Sequence, residues 1–389
     1  MKKIVLAHDS FTQLGGAERV FLEMAELFSD APIYVLVADK KVIAQLPSSV
    51  QKRIVTTKLQ WLYRIYPKFQ HLLPCIPFIL CLTRLPRCHV LLSSSSAFAK
   101  GFKKPEGSTH INYCHTPTRF LWTDSEYIVQ EVPWLVRWPA RMFLWWMKRW
   151  DLRAAKNVDL FLANSTEVQQ RIQKYYHRTS EVVYPFVDTE FWKPSKATGE
   201  EGGRVKSSVN ELTPQSPSLI PNTGYFLIAG RLHAHKHNDL VVELCTELGL
   251  PLHVVGSGRD EAHLKSIAGS TVTFFGRVTD EKLREEFQGA RAYIYPQLED
   301  FGLMPIEAAS CGTPTIGLNE GGSRETIVPG ITGEWFSKGN KEELKALLEH
   351  FDESKYSVEA LRNNAERFSK VIFAEKIQRA VRENVKLKN

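Results

Sequence analysis

The sequence predicts an α/β protein built on two doubly wound parallel sheets. Three observations support this fold class: the length of 389 residues, two separate series of alternating strand and helix patterns, and a polar stretch between the series. A chain of this length usually forms more than one hydrophobic core. Strands that alternate with helices form parallel sheets covered by helices on both faces. We therefore expect two domains, each with its own parallel sheet.

The first series of elements occupies the first half of the chain. Apolar runs typical of buried strands are "KKIVLAH", "HVLLSSS", "HINYCH" and "DLFLANS". The first run is followed by "GGAERVFLEMAELF", in which Val20, Met24, Leu27 and Phe28 recur at helical spacing. The pattern indicates a strand, a glycine turn and an amphipathic helix.

The second series begins after a polar stretch over 195–224 that is rich in Ser, Gly, Pro and charge. Its strands are "YFLIAG", "LHVVGSG", "TVTFFG", "RAYIYP" and "TPTIGL". We predict a first domain over 1–190, a flexible linker over 191–224, a second domain over 225–370, and a final helix over 371–389 that can pack back on the first domain. Ligands of such sheets bind beyond the carboxyl ends of the strands, so we expect the chemistry in a cleft between the domains.

The composition is that of an ordinary globular protein, with 43% hydrophobic and 24% charged residues. None of the six cysteines forms a C-x-x-C pair, which disfavours a zinc site or a disulfide framework and indicates a cytosolic protein. The apolar run of "MKKIVLAHDS" is too short for a signal peptide. "LLPCIPFILCL" is about half as long as a membrane-spanning helix requires, so we expect no span.

Positive charge is concentrated in the first half of the chain. Residues 1–195 hold 26 Lys and Arg against 16 Asp and Glu, a balance of +10, whereas the whole chain carries +7. A basic half favours an anionic partner: a membrane surface, a phosphate-bearing substrate or a nucleic acid.

Several strand ends carry residues suited to an anion. Gly15 and Gly16 open the first helix, where free N–H groups can meet a phosphate, although a simple tight turn explains them too. Arg231 and Lys236 follow "YFLIAG" and suit a diphosphate, although most such loop cations are only solvated. "VVGSGRDEAHL" lacks the third glycine of a dinucleotide site, which is replaced by Glu261.

Two glutamates and a histidine complete the candidates. Glu307 falls in the predicted first turn of a helix and suits the paired hydroxyls of a ribose, but the helix dipole also favours a glutamate there. Glu299 lies just after "RAYIYP" and can face a sugar. His115 follows "HINYCH" at a position that suits a cleft, although a lone histidine is more often structural.

Together these segments resemble glycosyltransferase family 4, the retaining nucleotide-sugar-dependent enzymes of the GT-B fold. The resemblance covers nearly the whole chain outside 195–224. It rests on "GGAER", "HTPTRFLW", "ANS", "VVYPFVDTEFW", "GRL" with Lys236 behind it, "GRVTDEKL" and "EDFGLMPIEAASCGTP". "HTPTRFLW", "GGAER" and "EDFG" are most similar to the mannosyltransferase branch that builds bacterial O-antigen and related polysaccharides from GDP-mannose.

The resemblance implies roles for individual residues. Catalytic roles fall to Arg231 and Lys236 at the donor diphosphate, Glu299 at the donor sugar, and His115 near the transferred sugar. Glu307 is implied to bind the ribose. The other implied donor contacts are Gly15, Gly16, Gly230, Val278 beside the base, Phe301, Gly302 and Leu303. Asp300 stands where many relatives have glycine, a departure that can alter the sugar pocket.

The resemblance also implies the chemistry. The cations stabilise the departing nucleoside diphosphate, and the leaving phosphate accepts the proton of the acceptor. There is no D-x-D motif, so we expect no cofactor and no essential metal. The acceptor is expected to be a saccharide or a lipid-linked sugar. Alternatives left open are a UDP-sugar donor, a GT-B nucleotide-sugar epimerase and a non-catalytic nucleotide-sugar-binding subunit.

Aromatic and basic residues are interleaved over 132–156, and a second stretch over 58–69 is similar in character. The candidate surface residues are Trp134, Arg137, Trp138, Arg141, Trp145, Trp146, Lys148 and Arg149. Such a pattern suits an anionic membrane interface. It also suits single-stranded nucleic acid, which the resemblance disfavours, or the core and acceptor pocket of the first domain. We expect a cytoplasmic protein, peripheral on the inner face of the cell membrane.

Overall fold

The computed structural model describes residues 3–195 and 224–386. The chain divides into two compact units. The first unit is Met1–Pro185 together with Val371–Asn389, and the second is Phe186–Lys370. The predicted insertion lies, apart from its end residues, outside the described residues.

The described part of the first unit contains a seven-stranded parallel sheet. Its strands are β1 (Ile4–Phe11), β2 (Ile33–Ala38), β3 (Ile54–Thr56), β4 (Val90–Ser95), β5 (Thr109–Cys114), β6 (Leu160–Ala163) and β7 (Ser180–Val182). They are ordered β3-β2-β1-β4-β5-β6-β7. The central strands β4 and β5 are buried along their full length, because helices cover both faces of a sheet of this kind.

Helices connect these strands. They are α1 (Gly16–Leu27), α2 (Lys40–Ile43), α3 (Ser48–Gln51), α4 (Leu59–Ile65), α5 (Ile76–Leu82), α6 (Arg119–Trp122), α7 (Ser125–Glu131), α8 (Trp134–Lys156), α9 (Thr166–Tyr176) and, from the end of the chain, α17 (Lys370–Lys386). In α1 the buried apolar face is Val20, Phe21, Met24 and Ala25. The predicted face is thus rotated slightly, because Leu27 is only half-buried.

The described part of the second unit contains a six-stranded parallel sheet. Its strands are β8 (Tyr225–Ala229), β9 (Leu252–Val255), β10 (Val272–Gly276), β11 (Ala290–Tyr295), β12 (Thr315–Leu318) and β13 (Gly333–Phe336), in the order β10-β9-β8-β11-β12-β13. Its helices are α10 (Asn238–Leu248), α11 (Glu261–Ile267), α12 (Asp280–Gly289), α13 (Met304–Ser310), α14 (Ser323–Thr326), α15 (Lys341–Glu349) and α16 (Val358–Glu366). Both sheets are therefore doubly wound, as the alternating pattern predicts.

The boundary between the units lies at residue 185, five residues earlier than the sequence-based boundary at 190. The reason is local pairing within the second unit: the N–H of Val187 donates to the carbonyl of Phe368 over 2.8 Å. The hydroxyl of Ser310 donates to the carbonyl of Trp192 over 2.5 Å. The last helix, by contrast, packs on the first unit, where the ring of Phe373 lies edge-on to Tyr113.

Each sheet has one point where its strand order reverses. In the first it lies between β1 and β4, and in the second between β8 and β11. Loops that leave the carboxyl ends of two such strands diverge and leave room for a ligand. Within the described residues, no helix is long and apolar enough to span a membrane.

Candidate active site

The loops after β8 and β11 carry the candidate donor residues of the second unit. Because these strands are neighbours in the sheet, Lys236 and Glu299 meet although 63 positions separate them in the chain. The ammonium of Lys236 forms an ion pair with Oε1 of Glu299. Lys236 is buried whereas Glu299 is half-buried, so the carboxylate supplies the partner that a buried cation requires.

Arg231 lies on the same loop as Lys236 but is exposed. Its guanidinium makes neither an ion pair nor a side-chain hydrogen bond in the described part of the chain. An exposed guanidinium without an internal partner keeps all five of its N–H donors for a ligand. Arg231 and Lys236 therefore differ: one cation is already compensated inside the protein and the other is not.

Backbone contacts hold this loop against the loop after β9. The N–H of Gly230 donates to Val255 over 2.9 Å, and that of Leu232 donates to Ser257 over 3.0 Å. A Cβ atom on Gly256 would lie 1.8 Å from the carbonyl oxygen of Gly230. The glycines of "VVGSG" thus allow the two loops to contact each other, and this packing explains the motif without a bound dinucleotide. Val278 follows β10, two strands away from β8, and is half-buried.

Glu307 lies in the first turn of α13 and is 8% exposed. Its carboxylate lies near the phenols of Tyr293 and Tyr295. Burial raises the pKa of both tyrosines, and the charge of Glu307 raises each pKa further. Neither phenol ionises near neutral pH, so both tyrosines remain uncharged next to the buried carboxylate of Glu307.

The segment from Phe301 to Leu303 joins the two glutamates. Phe301 is anchored by its ring, which packs edge-on against Phe368 with centroids 5.5 Å apart. Gly302 has φ of +82°, and a Cβ atom there would lie 2.7 Å from the hydroxyl of Tyr295. Any other residue would strain the backbone and collide with the tyrosine. Leu303 caps α13.

A second glycine pair, Gly321 and Gly322, is missed by the sequence reasoning. It follows β12, and the N–H of Gly322 donates to the carbonyl of Glu299 over 2.9 Å. A Cβ atom on Gly322 would lie 1.9 Å from the carbonyl oxygen of Phe301. The pair therefore holds the loop that carries Glu299, and "NEGGSRE" directly after a predicted strand was its signal in the sequence.

In the first unit, Gly15 and Gly16 lie at the start of α1. Gly15 is the N-cap residue, and its N–H donates to Oε2 of Glu18 over 2.8 Å. His115 directly follows β5, is 9% exposed, and its Nε2 lies 2.8 Å from the hydroxyl oxygen of Ser94. Both positions are at the carboxyl edge of the sheet, as predicted.

The same edge contains a nest of backbone donors. The carboxylate of Asp9 accepts four N–H groups, from Ser96, Ala97, Phe98 and Ala99, at 2.5–2.9 Å. Such a nest is a typical anion receptor. Here the protein fills it with a carboxylate of its own, and the loop after β4 is thereby fixed at the point where the strand order reverses.

The basic aromatic residues of α8 fall into two groups. Trp134, Trp138 and Trp145 are 59–75% exposed, and Arg137, Arg141 and Arg149 are exposed as well. Trp146 is half-buried and packs against the core of the first unit. Lys148 is also half-buried, with its ammonium 5.6 Å from the ring centre of Trp122. Trp146 and Lys148 are thus poor candidates for a surface contact.

Other exposed apolar side chains lie on α4 and α5. Trp61, Ile65, Phe78 and Leu82 are each 64–69% exposed. The inward faces of α4, α5 and α8 share one hydrophobic cluster, and the ring of Phe78 stacks on Trp146 at 6.0 Å. We call these four residues, with Trp134, Trp138 and Trp145, the aromatic surface.

Among residues 3–195 and 224–386, no group of three or more His, Cys, Asp or Glu side chains could hold a metal ion. The candidate site of the second unit is therefore made of cations, carboxylates and backbone groups.

Two family models match the chain, one over most of each unit. The model described as Glycosyltransferase Family 4 matches residues 14–191. The model described as Glycosyl transferases group 1 matches residues 210–368. Together the two matches cover the larger part of the chain, including every candidate donor residue.

Among curated proteins, the chain is similar to the alpha-1,3/1,6-mannosyltransferase ALG2 of Dictyostelium discoideum. It is 23% identical to that protein over 273 residues, which are 63% of this chain and 62% of the relative. It is 33% identical to the GDP-mannose-dependent alpha-mannosyltransferase of Mycobacterium tuberculosis over 119 residues, 30% of each chain. The chain thus spans less than two thirds of either relative.

Among solved structures, the chain is similar to HepE of Anabaena in complex with UDP. The TM-score is 0.68 at 15% identity, over 98% of this chain and 100% of that chain. Likeness at this identity concerns the fold. With two doubly wound parallel sheets and a family model matched over each unit, the chain belongs to glycosyltransferase family 4 and has the GT-B fold.

Proposed function

We propose that the protein is a retaining glycosyltransferase that moves a hexose from a nucleotide sugar to a saccharide or lipid-linked acceptor. The observation that carries the proposal is the joining of Lys236 and Glu299 at the carboxyl edge of the second sheet. A donor places an anionic diphosphate next to a polyhydroxylated sugar. The cations Lys236 and Arg231 suit the diphosphate of that ligand, and the carboxylate of Glu299 suits the hydroxyls of its sugar.

Arg231 and Lys236 take the donor diphosphate. Cleavage of the bond between the anomeric carbon and the phosphate oxygen increases the negative charge of the leaving nucleoside diphosphate, so the two cations stabilise the transition state more than the ground state. The leaving phosphate accepts the proton of the acceptor hydroxyl. Glu307 takes the ribose and Glu299 the donor sugar. These groups need no metal ion, and we expect activity to survive chelation by EDTA.

Mannose from GDP-mannose is the donor that we propose first. Its support is the names of two relatives, a mannosyltransferase and a GDP-mannose-dependent mannosyltransferase, together with the sequence resemblance to the O-antigen branch. The acceptor is proposed to be part of bacterial surface polysaccharide synthesis.

The aromatic surface is proposed to dock the first unit on an anionic membrane. Its exposed indoles lie beside Arg137, Arg141 and Arg149, and indoles with cations suit the boundary of an anionic bilayer. A lipid-linked acceptor would then be reached from the inner face of the membrane. This placement accounts for exposed aromatic side chains that an ordinary soluble surface rarely carries.

The decisive experiment is a donor assay on the purified protein with GDP-mannose, UDP-glucose and ADP-glucose. A transferase slowly releases nucleoside diphosphate from its own donor, an epimerase alters the sugar, and a binding subunit does neither. Lys236→Ala and Arg231→Ala should each lower turnover about 100-fold, the usual cost of one transition-state contact. Lys345→Ala, which breaks a more exposed ion pair between α15 and Glu247 of α10 in the same unit, is the control. Turnover that survives both loop variants would reject the proposal.

A further inference from the structure

The first unit buries a continuous row of polar side chains beneath the start of α1. Its members are His8 on β1, Ser94 on β4, His115 after β5 and Glu18 on α1, each at most 9% exposed. Nδ1 of His8 lies 3.3 Å from the hydroxyl oxygen of Ser94, and Nε2 of His115 lies 2.8 Å from the same oxygen. His8 and Ser94 are direct partners in the sheet register, so the row follows from the strand order.

Ser94 has a single hydroxyl proton but contacts two imidazole nitrogens. It can donate to only one of them and must accept from the other. If Ser94 donates to His8, then His115 carries its proton on Nε2. If Ser94 donates to His115, then His8 carries a proton on Nδ1 and, when neutral, has a bare lone pair on its own Nε2.

Glu18 decides between these two directions. Its Oε1 lies 3.8 Å from Nε2 of His8, and that nitrogen has no hydrogen-bond partner in the described structure. The neighbouring imidazole and the N–H of Gly15 hold the pKa of Glu18 below its usual value even though burial alone would raise it. A bare nitrogen facing a buried carboxylate is repelled, whereas an N–H facing it is attracted.

We propose that Glu18 and His8 are positioning residues that fix His115 as the Nε2–H tautomer, with Nδ1 as its unprotonated nitrogen. The direction of donation runs from His115 to Ser94, from Ser94 to His8, and from His8 toward Glu18. The same carboxylate holds the N–H of Gly15, so one side chain sets both the start of α1 and the tautomer of a histidine that follows β5, two strands away from β1. The importance of this tautomer for turnover rests on the proposed function.

The tautomer is measurable by long-range proton–nitrogen NMR of the full chain labelled with ¹⁵N-histidine, with His115→Gln and His8→Gln spectra for assignment. In the wild type, His115 should carry its proton on Nε2. Glu18→Gln should reverse the row: its amide oxygen keeps the N–H of Gly15, while its NH₂ donates to Nε2 of His8. His115 should then carry its proton on Nδ1. Glu26→Gln, an exposed glutamate on the same helix, should change nothing.

Ser94→Ala is the second variant, because it breaks the row without touching α1, so that adding Glu18→Gln to it should no longer change the tautomer of His115. With the donor identified, Glu18→Gln should lower turnover at least tenfold without changing the affinity for nucleoside diphosphate. The proposal would be overturned by a wild-type His115 that is protonated on Nδ1, or by an unchanged tautomer in Glu18→Gln. Unchanged turnover in Glu18→Gln would overturn it as well. The NMR result requires no donor, so a wild type that transfers no sugar would reject the proposed function and leave the tautomer to be decided separately.

Discussion

At the scale of single residues, the two glutamates of the second unit are distinguished by their burial and partners. Glu307 is buried beside two neutral tyrosines, whereas Glu299 is half-buried and paired with Lys236. Their spacing in the sequence suggested separate roles, but only the fold shows that Lys236 lies beside Glu299.

This difference predicts opposite effects of two substitutions. Glu307→Gln should weaken binding of the free nucleoside diphosphate by about tenfold, since ribose contacts persist after the sugar has left and a hydrogen bond to a charged group contributes about 1.5–3 kcal/mol. Glu299→Gln should leave that affinity within about threefold but lower turnover strongly. Calorimetry with GDP and UDP measures the first effect and the donor assay the second. The reverse pattern would show that the two assignments are exchanged.

A buried histidine predicts how stability depends on pH. His110 lies in β5, and burial lowers its pKa from 6.5 to about 3. Below pH 6.5 the unfolded chain therefore binds a proton that the folded chain does not, so stability falls as the pH falls. Between pH 7 and pH 5 the loss from this residue is about 2 kcal/mol.

Urea titrations followed by tryptophan fluorescence test this loss, because seven of the nine tryptophans belong to the first unit. His110→Gln should lose about 2 kcal/mol less than the wild type between the two pH values. His71→Gln, at an exposed position of the same unit, should behave as the wild type. Equal pH dependence in all three proteins would mean that His110 is protonated in the folded state.

At the scale of elements, α8 joins two functions in one helix. Its second half packs into the first unit through Leu144 and Met147, while its first half exposes Trp134 and Trp138. Tryptophan occurs both in protein cores and at membrane interfaces. The composition could therefore indicate a basic aromatic segment, but it could not distinguish the exposed tryptophans from the half-buried Trp146. The contribution of α5 through Phe78 and Leu82 was likewise out of reach, because its apolar run resembles an ordinary buried helix.

The exposed side chains of α8 predict reversible binding to anionic vesicles. Arg141→Ser with Arg149→Ser should weaken that binding by about thirtyfold, since each cation near such a surface contributes about 1 kcal/mol. Trp134→Ser with Trp138→Ser should weaken it at all salt concentrations, whereas the loss from the arginine pair should fade as salt screens charge. Vesicle co-sedimentation measures both.

The matched control for these variants is Arg379→Ser with Arg382→Ser. It removes two exposed arginines of the same unit from α17, so the net charge is equal and only the position differs. Binding that falls equally in both arginine pairs would indicate a general charge effect. A folded wild type that ignores anionic vesicles at low salt would contradict the docking surface altogether.

At the scale of the whole molecule, alternation of strands and helices was enough to predict two parallel sheets. It could not predict strand order, and strand order is what brings Lys236 to Glu299 and His8 to His115. The glycine pair Gly321–Gly322 was missed for the same reason, since its contact is with the loop that follows a neighbouring strand. Local sequence patterns thus predict the individual strands and helices, whereas the candidate active site depends on which strands are neighbours in the sheet.

The polar stretch outside the described residues gives a prediction about the entire chain. Deleting residues 197–220 and joining the ends with a short Gly/Ser linker should change the melting temperature by less than about 3 °C, because its composition offers little apolar surface for a core. Affinity for nucleoside diphosphate should also be retained. A Gly/Ser replacement of equal length separates the effect of composition from that of length. A large fall in melting temperature in both variants would show that the natural sequence packs against a domain.

The carboxylate of Asp9 has a consequence for the binding of free anions at the carboxyl edge of the first sheet. The first unit places four backbone N–H groups where its strand order reverses, and the protein itself supplies their covalently tethered counter-ion. A tethered ligand is never diluted, so free phosphate in the cell cannot compete for that nest. The nest of the first unit is therefore already occupied, and a free anion can enter it only by displacing the carboxylate of Asp9.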